Sequence, residues 1–82
     1  MNPRTILLRS FQELDNGVTS AVPIEMLEYR SMQRNLSPDE IAREFHAALR
    51  EGHFEITSPG MVNMTETGSR HYAQYAQSMD HH

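Results

Sequence analysis

Apolar positions recur with two different periods along this chain, and the change of period divides it into elements. Between Pro3 and Asn16, Leu7, Phe11 and Leu14 fall on one stripe with Ile6 and Ser10 beside it, the spacing of an amphipathic helix. Pro3 suits the first turn, where its missing N–H has no partner to lose, and Asn16-Gly17 supplies a left-handed stop. The β-branched "VTSAV" that follows reads either as a loop or as a brief strand. A second helix starts near Pro23 with Ile24, Leu27 and Met32 facing inward, and ends somewhere in "SMQRN".

The stretch "LSPDEIAREFHAALREGHFEI", Leu36 to Ile56, carries the strongest local signals. Ser37 and Glu40 have the spacing of a capping box, Pro38 sits at the first helical position, and Gly52 ends the helix. At about 100° per residue, Ile41, Phe45, Ala48 and Leu49 make the inward face. Asp39, Arg43, His46, Ala47 and Arg50 occupy the opposite side, with Glu44 and Glu51 on the flank, placed to pair with neighbouring arginines. The period then drops to two. Phe54 and Ile56 alternate with His53, Glu55 and Thr57, and Val62 and Met64 with Met61 and Asn63, on either side of "SPG", which predicts an antiparallel hairpin. Thr65 caps a last helix whose Tyr72, Tyr75, Ala76 and Met79 share a stripe.

Composition narrows the class. Eighty-two residues, of which 38% are hydrophobic and 22% charged, suit one globular domain over residues 1–80, with 81–82 a tail. The chain has no cysteine, which removes disulfides, thiolate metal sites and thiol nucleophiles. No apolar run approaches the roughly 18 residues of a membrane span, and "MNPRTILLRSF" lacks a signal-peptide core; a cytoplasmic address and no membrane partner are therefore expected. Seven serines occur without a nucleophile elbow, no glycine-rich phosphate loop is present, and His46 and His53 lack the spacing of a helical metal pair. A non-enzyme without cofactor or metal is expected, its six methionines filling gaps in the core.

The order of elements resembles the winged helix-turn-helix fold. The likeness is carried by "LSPDEIAREFHAALREGHFEI" followed by "MVNMTETG", in which Gly52, the hairpin and Thr65-Glu66-Thr67-Gly68 stand where a recognition helix, a wing and a strand–Thr-x-x-Gly junction would. It spans Pro3 to Met79 and is similar to small stand-alone bacterial winged helices such as the YjcQ family, more distantly to MarR- and PadR-type regulators. The resemblance implies an α+β, mostly helical fold: a three-helix core, a β-hairpin wing and a C-terminal helix. It also implies that residues 24–34 form the first helix of the helix-turn-helix and 38–51 the recognition helix, which enters the major groove of DNA while the wing touches backbone. Two departures stand out. The wing tip Ser58-Pro59-Gly60 has no cation, and the recognition helix opens with Asp39-Glu40.

Charge leaves two functions open. Net charge is −4, every basic residue is arginine, and residues 38–51 hold Arg43 and Arg50 against Asp39, Glu40, Glu44 and Glu51. An acidic balance disfavours non-specific nucleic-acid binding, which depends on neutralising phosphates. Direction matters more than the sum: the outward ridge places two guanidiniums and His46 around Ala47, small enough for close approach to a groove, and arginine forks onto guanine. Arg30 and Arg34, with Arg4 and Arg9, either supply the backbone contacts the wing lacks or pair with Glu25, Glu28 and Glu13. A DNA-binding transcriptional regulator thus uses Arg43, His46, Ala47, Arg50, Arg30 and Arg34. The alternative is a protein-interaction module that meets a basic partner with Asp39, Glu40, Glu44, Tyr72 and Tyr75. The last helix would offer either one a homodimer seam.

Overall fold

In a computed structural model the chain is α+β and mostly helical, and the structure describes residues 2–15 and 21–80, with side chains as far as Gln74. The order is α1 (Pro3–Leu14), β1 (Ala21–Pro23), α2 (Ile24–Gln33), α3 (Pro38–Arg50), β2 (Phe54–Ser58), β3 (Met61–Met64) and α4 (Glu66–Asp80). The strands form one antiparallel sheet ordered β1-β3-β2.

Local chemistry sets most helix ends. Asn2 caps α1, its side-chain oxygen accepting from the Thr5 backbone N–H at 2.8 Å. The helix closes at Leu14, two residues before the expected Asn16, because Asp15 turns to extended backbone; Asn16-Gly17 lies outside the described residues. Pro23 belongs to β1 and α2 begins one residue later, with the Ile24 N–H donating to the Gly60 carbonyl of the hairpin turn at 2.9 Å. Asn35 ends α2 in the left-handed region (φ 72), where asparagine is among the few side chains tolerated. Leu36 N–H donates to Ser31 and Asn35 N–H to Met32, and the buried Leu36 seals this Schellman end.

The expected capping box on α3 is complete: Glu40 N–H donates to Ser37 Oγ at 3.1 Å, and Ser37 N–H to Glu40 Oε1 at 3.0 Å. At the other end Gly52 (φ 78) lets the His53 N–H donate to Ala48. Ser37→Ala is expected to cost about 1 kcal/mol. A thermal melt should show this as a fall of roughly 4–8 °C, whereas Glu40→Gln keeps the box and melts close to the parent.

Among the described residues the core takes Leu7, Leu8 and Phe11 from α1, Leu27 from α2, Ile41 and Ala48 from α3, Val22, Phe54 and Val62 from the strands, and Leu36. Phe54 links its halves, with ring centroids 5.5 Å from Phe11 and 5.9 Å from Phe45. The expected inward faces hold for α1 and α3, with Leu14, Phe45 and Leu49 partly buried against the core. Two expectations fail. Met32 is not inward but 45% exposed, because Ser31, about 100° back around the helix, takes the interior position with Leu27. Nor do the methionines all fill the core, since Met26 is exposed as well. In the hairpin, Phe54 is buried but Ile56 is 54% exposed, and the pairing shifts by one residue between Ile56 and Ser58.

The α4 junction forms around Thr65. Its hydroxyl donates to the Gly52 carbonyl and accepts from the Gly68 N–H at 3.1 Å, while its own N–H donates to the His53 carbonyl. Gly68 lies so close to His53 that a Cβ there would collide with the His53 carbonyl. No helix of the described residues is long and apolar enough to cross a membrane.

Candidate nucleic-acid interface

The capping box, the buried Ile41–Ala48 face and the Gly52 stop hold α3 with its opposite side to solvent. Along that side Asp39, Arg43, His46 and Arg50 are exposed, and Ala47 is half-buried. The ring of His46 lies edge-on to Phe45, centroids 6.2 Å apart. Arg43 makes a single loose ion pair, Nε to Glu44 Oε2 at 3.6 Å, with its side chain 65% exposed. The ridge read from the sequence is therefore brought together and open.

The arginines around it divide. Arg34 donates through Nε to Glu13 Oε1 at 2.9 Å and pairs through Nη2 with Glu13 Oε2, so it is engaged with α1 rather than standing free beside the ridge. That contact holds the Glu13 carboxyl below its ordinary value. Arg30 is half-buried and shares a shallow concavity with Leu14, Glu25 and Tyr29 on the far side of α2.

Arg4 is the hub that sequence reasoning missed. Its guanidinium reaches Glu44 Oε1 (3.0 Å), Glu51 Oε2 (3.1 Å) and His53 Nδ1 (3.0 Å), joining α1 to α3 and to the residue that precedes β2. Arginine always donates, so Nδ1 must accept, and the His53 proton then sits on Nε2 of a neutral ring. His53 is only 6% exposed and stacks on His71 with centroids 4.5 Å apart. Burial, then the charges of His71 and Arg4, push its pKa down; Arg4 lowers that of Glu51. These partners lie 40 to 49 residues apart in sequence, so no local pattern announces them.

The same contacts engage part of the acidic set expected for a protein partner. Glu40 is occupied by the cap, where the Ser37 N–H holds its pKa down, and Glu44 is held inward by Arg4. Tyr72 packs against the core, so the expected dimer stripe begins with a residue already committed to its own domain; the side chains of Tyr75, Ala76 and Met79 lie outside those described. Of that set Asp39 alone is both exposed and without an ion pair among the described residues. The hairpin turn, Ser58 to Gly60, is exposed and carries no cation, and behind it Glu55 accepts from Asn63 Nδ2 at 3.3 Å.

The sequence also gave no warning of a groove of about 270 Å³ between α2 and α3, floored by Ile24, Ile41 and Phe45 and walled by Met32, Ala42 and Glu28. Among the described residues no group of three or more His, Asp or Glu is placed to hold a metal ion. Comparisons with protein-family models, with curated proteins and with solved structures find no match to this chain.

Proposed function

We propose that this chain is a small, non-enzymatic winged helix-turn-helix protein of the cytoplasm that binds double-stranded DNA and regulates transcription, with α3 as the recognition helix. The observation that carries the reading is the open ridge of Arg43, His46 and Arg50, backed on the other side by the core and followed by an antiparallel hairpin. Arg43 and Arg50 fork onto guanine O6 and N7 or onto phosphate, and Ala47 between them leaves room for the groove wall. Arg30 is the remaining candidate for a backbone contact; Arg34 is spent on Glu13. Binding on this reading weakens steeply as salt is raised, as neutralisation of phosphates by the guanidiniums requires.

Fluorescence anisotropy with a pool of random-sequence duplexes at low salt tests this. The parent should bind, and Arg43→Ala/Arg50→Ala should weaken binding by about tenfold or more, since each good bidentate contact contributes about 1–3 kcal/mol. Arg34→Ala should change it far less. No binding by the parent, or equal binding by the double variant, removes the reading.

A further inference from the structure

The described carboxylates differ in how they are held: Glu40 is taken by the Ser37 cap and Glu55 by Asn63, without an ion pair. Glu13, Glu44, Glu51 and Glu66 each pair with an arginine. Glu25, Glu28 and Asp39 make no ion pair among the described residues, and all three belong to the first half of α2 or the first turn of α3. Of the large apolar side chains left exposed among the described residues, Ile56 is on the hairpin and the other three, Met26, Tyr29 and Met32 at 50%, 62% and 45%, are on α2. Met32 also lines the groove between α2 and α3, which reaches inward to Ile24, Ile41 and Phe45 with Glu28 in its wall and no arginine among its lining residues, whereas Met26, Tyr29 and Glu25 border the separate concavity that holds Arg30.

We propose that the α2–α3 groove is a docking site for a cationic amphipathic helix of another protein, whose apolar stripe fills the groove while flanking lysines or arginines meet Glu25, Glu28 and Asp39. The volume, about 270 Å³, falls just short of the roughly 300–1,000 Å³ of small-molecule sites, which suits a few side-chain anchors rather than a whole ligand. Helix-in-groove recognition reads such anchors at i, i+3, i+4 and i+7. Charge selects the occupant. A second copy of this chain brings net charge −4 and the same unpaired carboxylates, and DNA brings phosphates; both are repelled by Glu25 and Glu28. The proposal stands apart from DNA binding, although His46 borders both surfaces, so that an occupant of the groove would compete with DNA for α3.

Three synthetic helical peptides test it by NMR titration of the full chain: a leucine stripe flanked by lysines, the same stripe flanked by glutamates, and the lysine peptide with its leucines scattered around the helix. The lysine-flanked stripe should shift Ile24, Glu28, Met32, Ala42 and Phe45, while the other two should not. Glu25→Lys/Glu28→Lys, both at exposed positions, should weaken that peptide about tenfold or more and admit the glutamate one. Equal binding of all three peptides, binding of none, shifts away from the groove, or unchanged affinity in the double variant would overturn the proposal. So would sedimentation showing that the chain self-associates through these residues.

Discussion

Phe11→Ala is expected to lower the melting temperature by about 12 °C or more, the largest effect of any single truncation considered. Phe11 is fully buried and touches Phe54, which touches Phe45, so one aromatic row ties α1 to β2 and α3. Removing a buried phenyl ring costs about 3–5 kcal/mol, the lost transfer energy plus the cavity left behind. A domain of this size holds only about 5–15 kcal/mol in all, and each kcal/mol moves the melt by roughly 4–8 °C. Ile56→Ala serves as the control. Its side chain is over half exposed beyond the core, and surface truncations of that kind usually stay within about 0.5 kcal/mol. Circular-dichroism melts that separate the two variants widely support the core as described; equal melts would not.

Acid is expected to destabilise the protein in two stages. The folded pKa of His53 lies below the ordinary imidazole value of 6.5, because burial, His71 and Arg4 all disfavour its charged form, with only Glu51 opposing them. A base with a depressed folded pKa contributes stability that is complete above about 6.5 and is lost as pH falls through the folded value, where the unfolded chain takes up the proton first. Protonation also places a hydrogen on Nδ1 opposite the Arg4 guanidinium, breaking the hub that joins α1, α3 and the residue that precedes β2. Glu13, Glu40 and Glu51 act later: their folded pKa values lie below the ordinary 4.5, so their contribution holds above that pH and disappears as pH falls below it. The melting temperature should thus begin to fall as pH drops below about 6.5, and fall again as it drops below about 4.5. His53→Asn keeps an acceptor for Arg4 but cannot titrate. It should melt lower throughout and lose the upper stage; a variant that keeps the upper stage would assign it to another group.

What the sequence disclosed and what it hid divide along the range of the interactions. The α3 helix was legible from end to end, since Ser37, Pro38, Glu40 and Gly52 act within a turn of themselves and an amphipathic period fixes which side faces out. The hairpin and the Thr65 cap were legible for the same reason. The end of α2 was not, because Asn35 stops the helix by a backbone conformation that asparagine adopts in only some contexts. Met32 was misplaced because hydrophobicity alone puts a methionine inside before a serine, whereas packing put Ser31 there. At the candidate site, Arg43, His46 and Arg50 emerged as read, while Arg34, Glu40 and Glu44 were taken by partners. Arg4's pairing with Glu44, Glu51 and His53 depends on how α1 crosses α3, which no local pattern encodes.

The proposed DNA binding depends on whether the outward side of α3 meets a nucleic acid. Titrating the isotope-labelled chain with a short duplex at about 50 mM salt, and following each backbone amide, puts that question to individual residues. Progressive shifts at Arg43, His46, Ala47 and Arg50 that reverse when salt is raised are the expected result. Unmoved α3 resonances at saturating duplex, or shifts restricted to the Ser58–Gly60 turn, would contradict it.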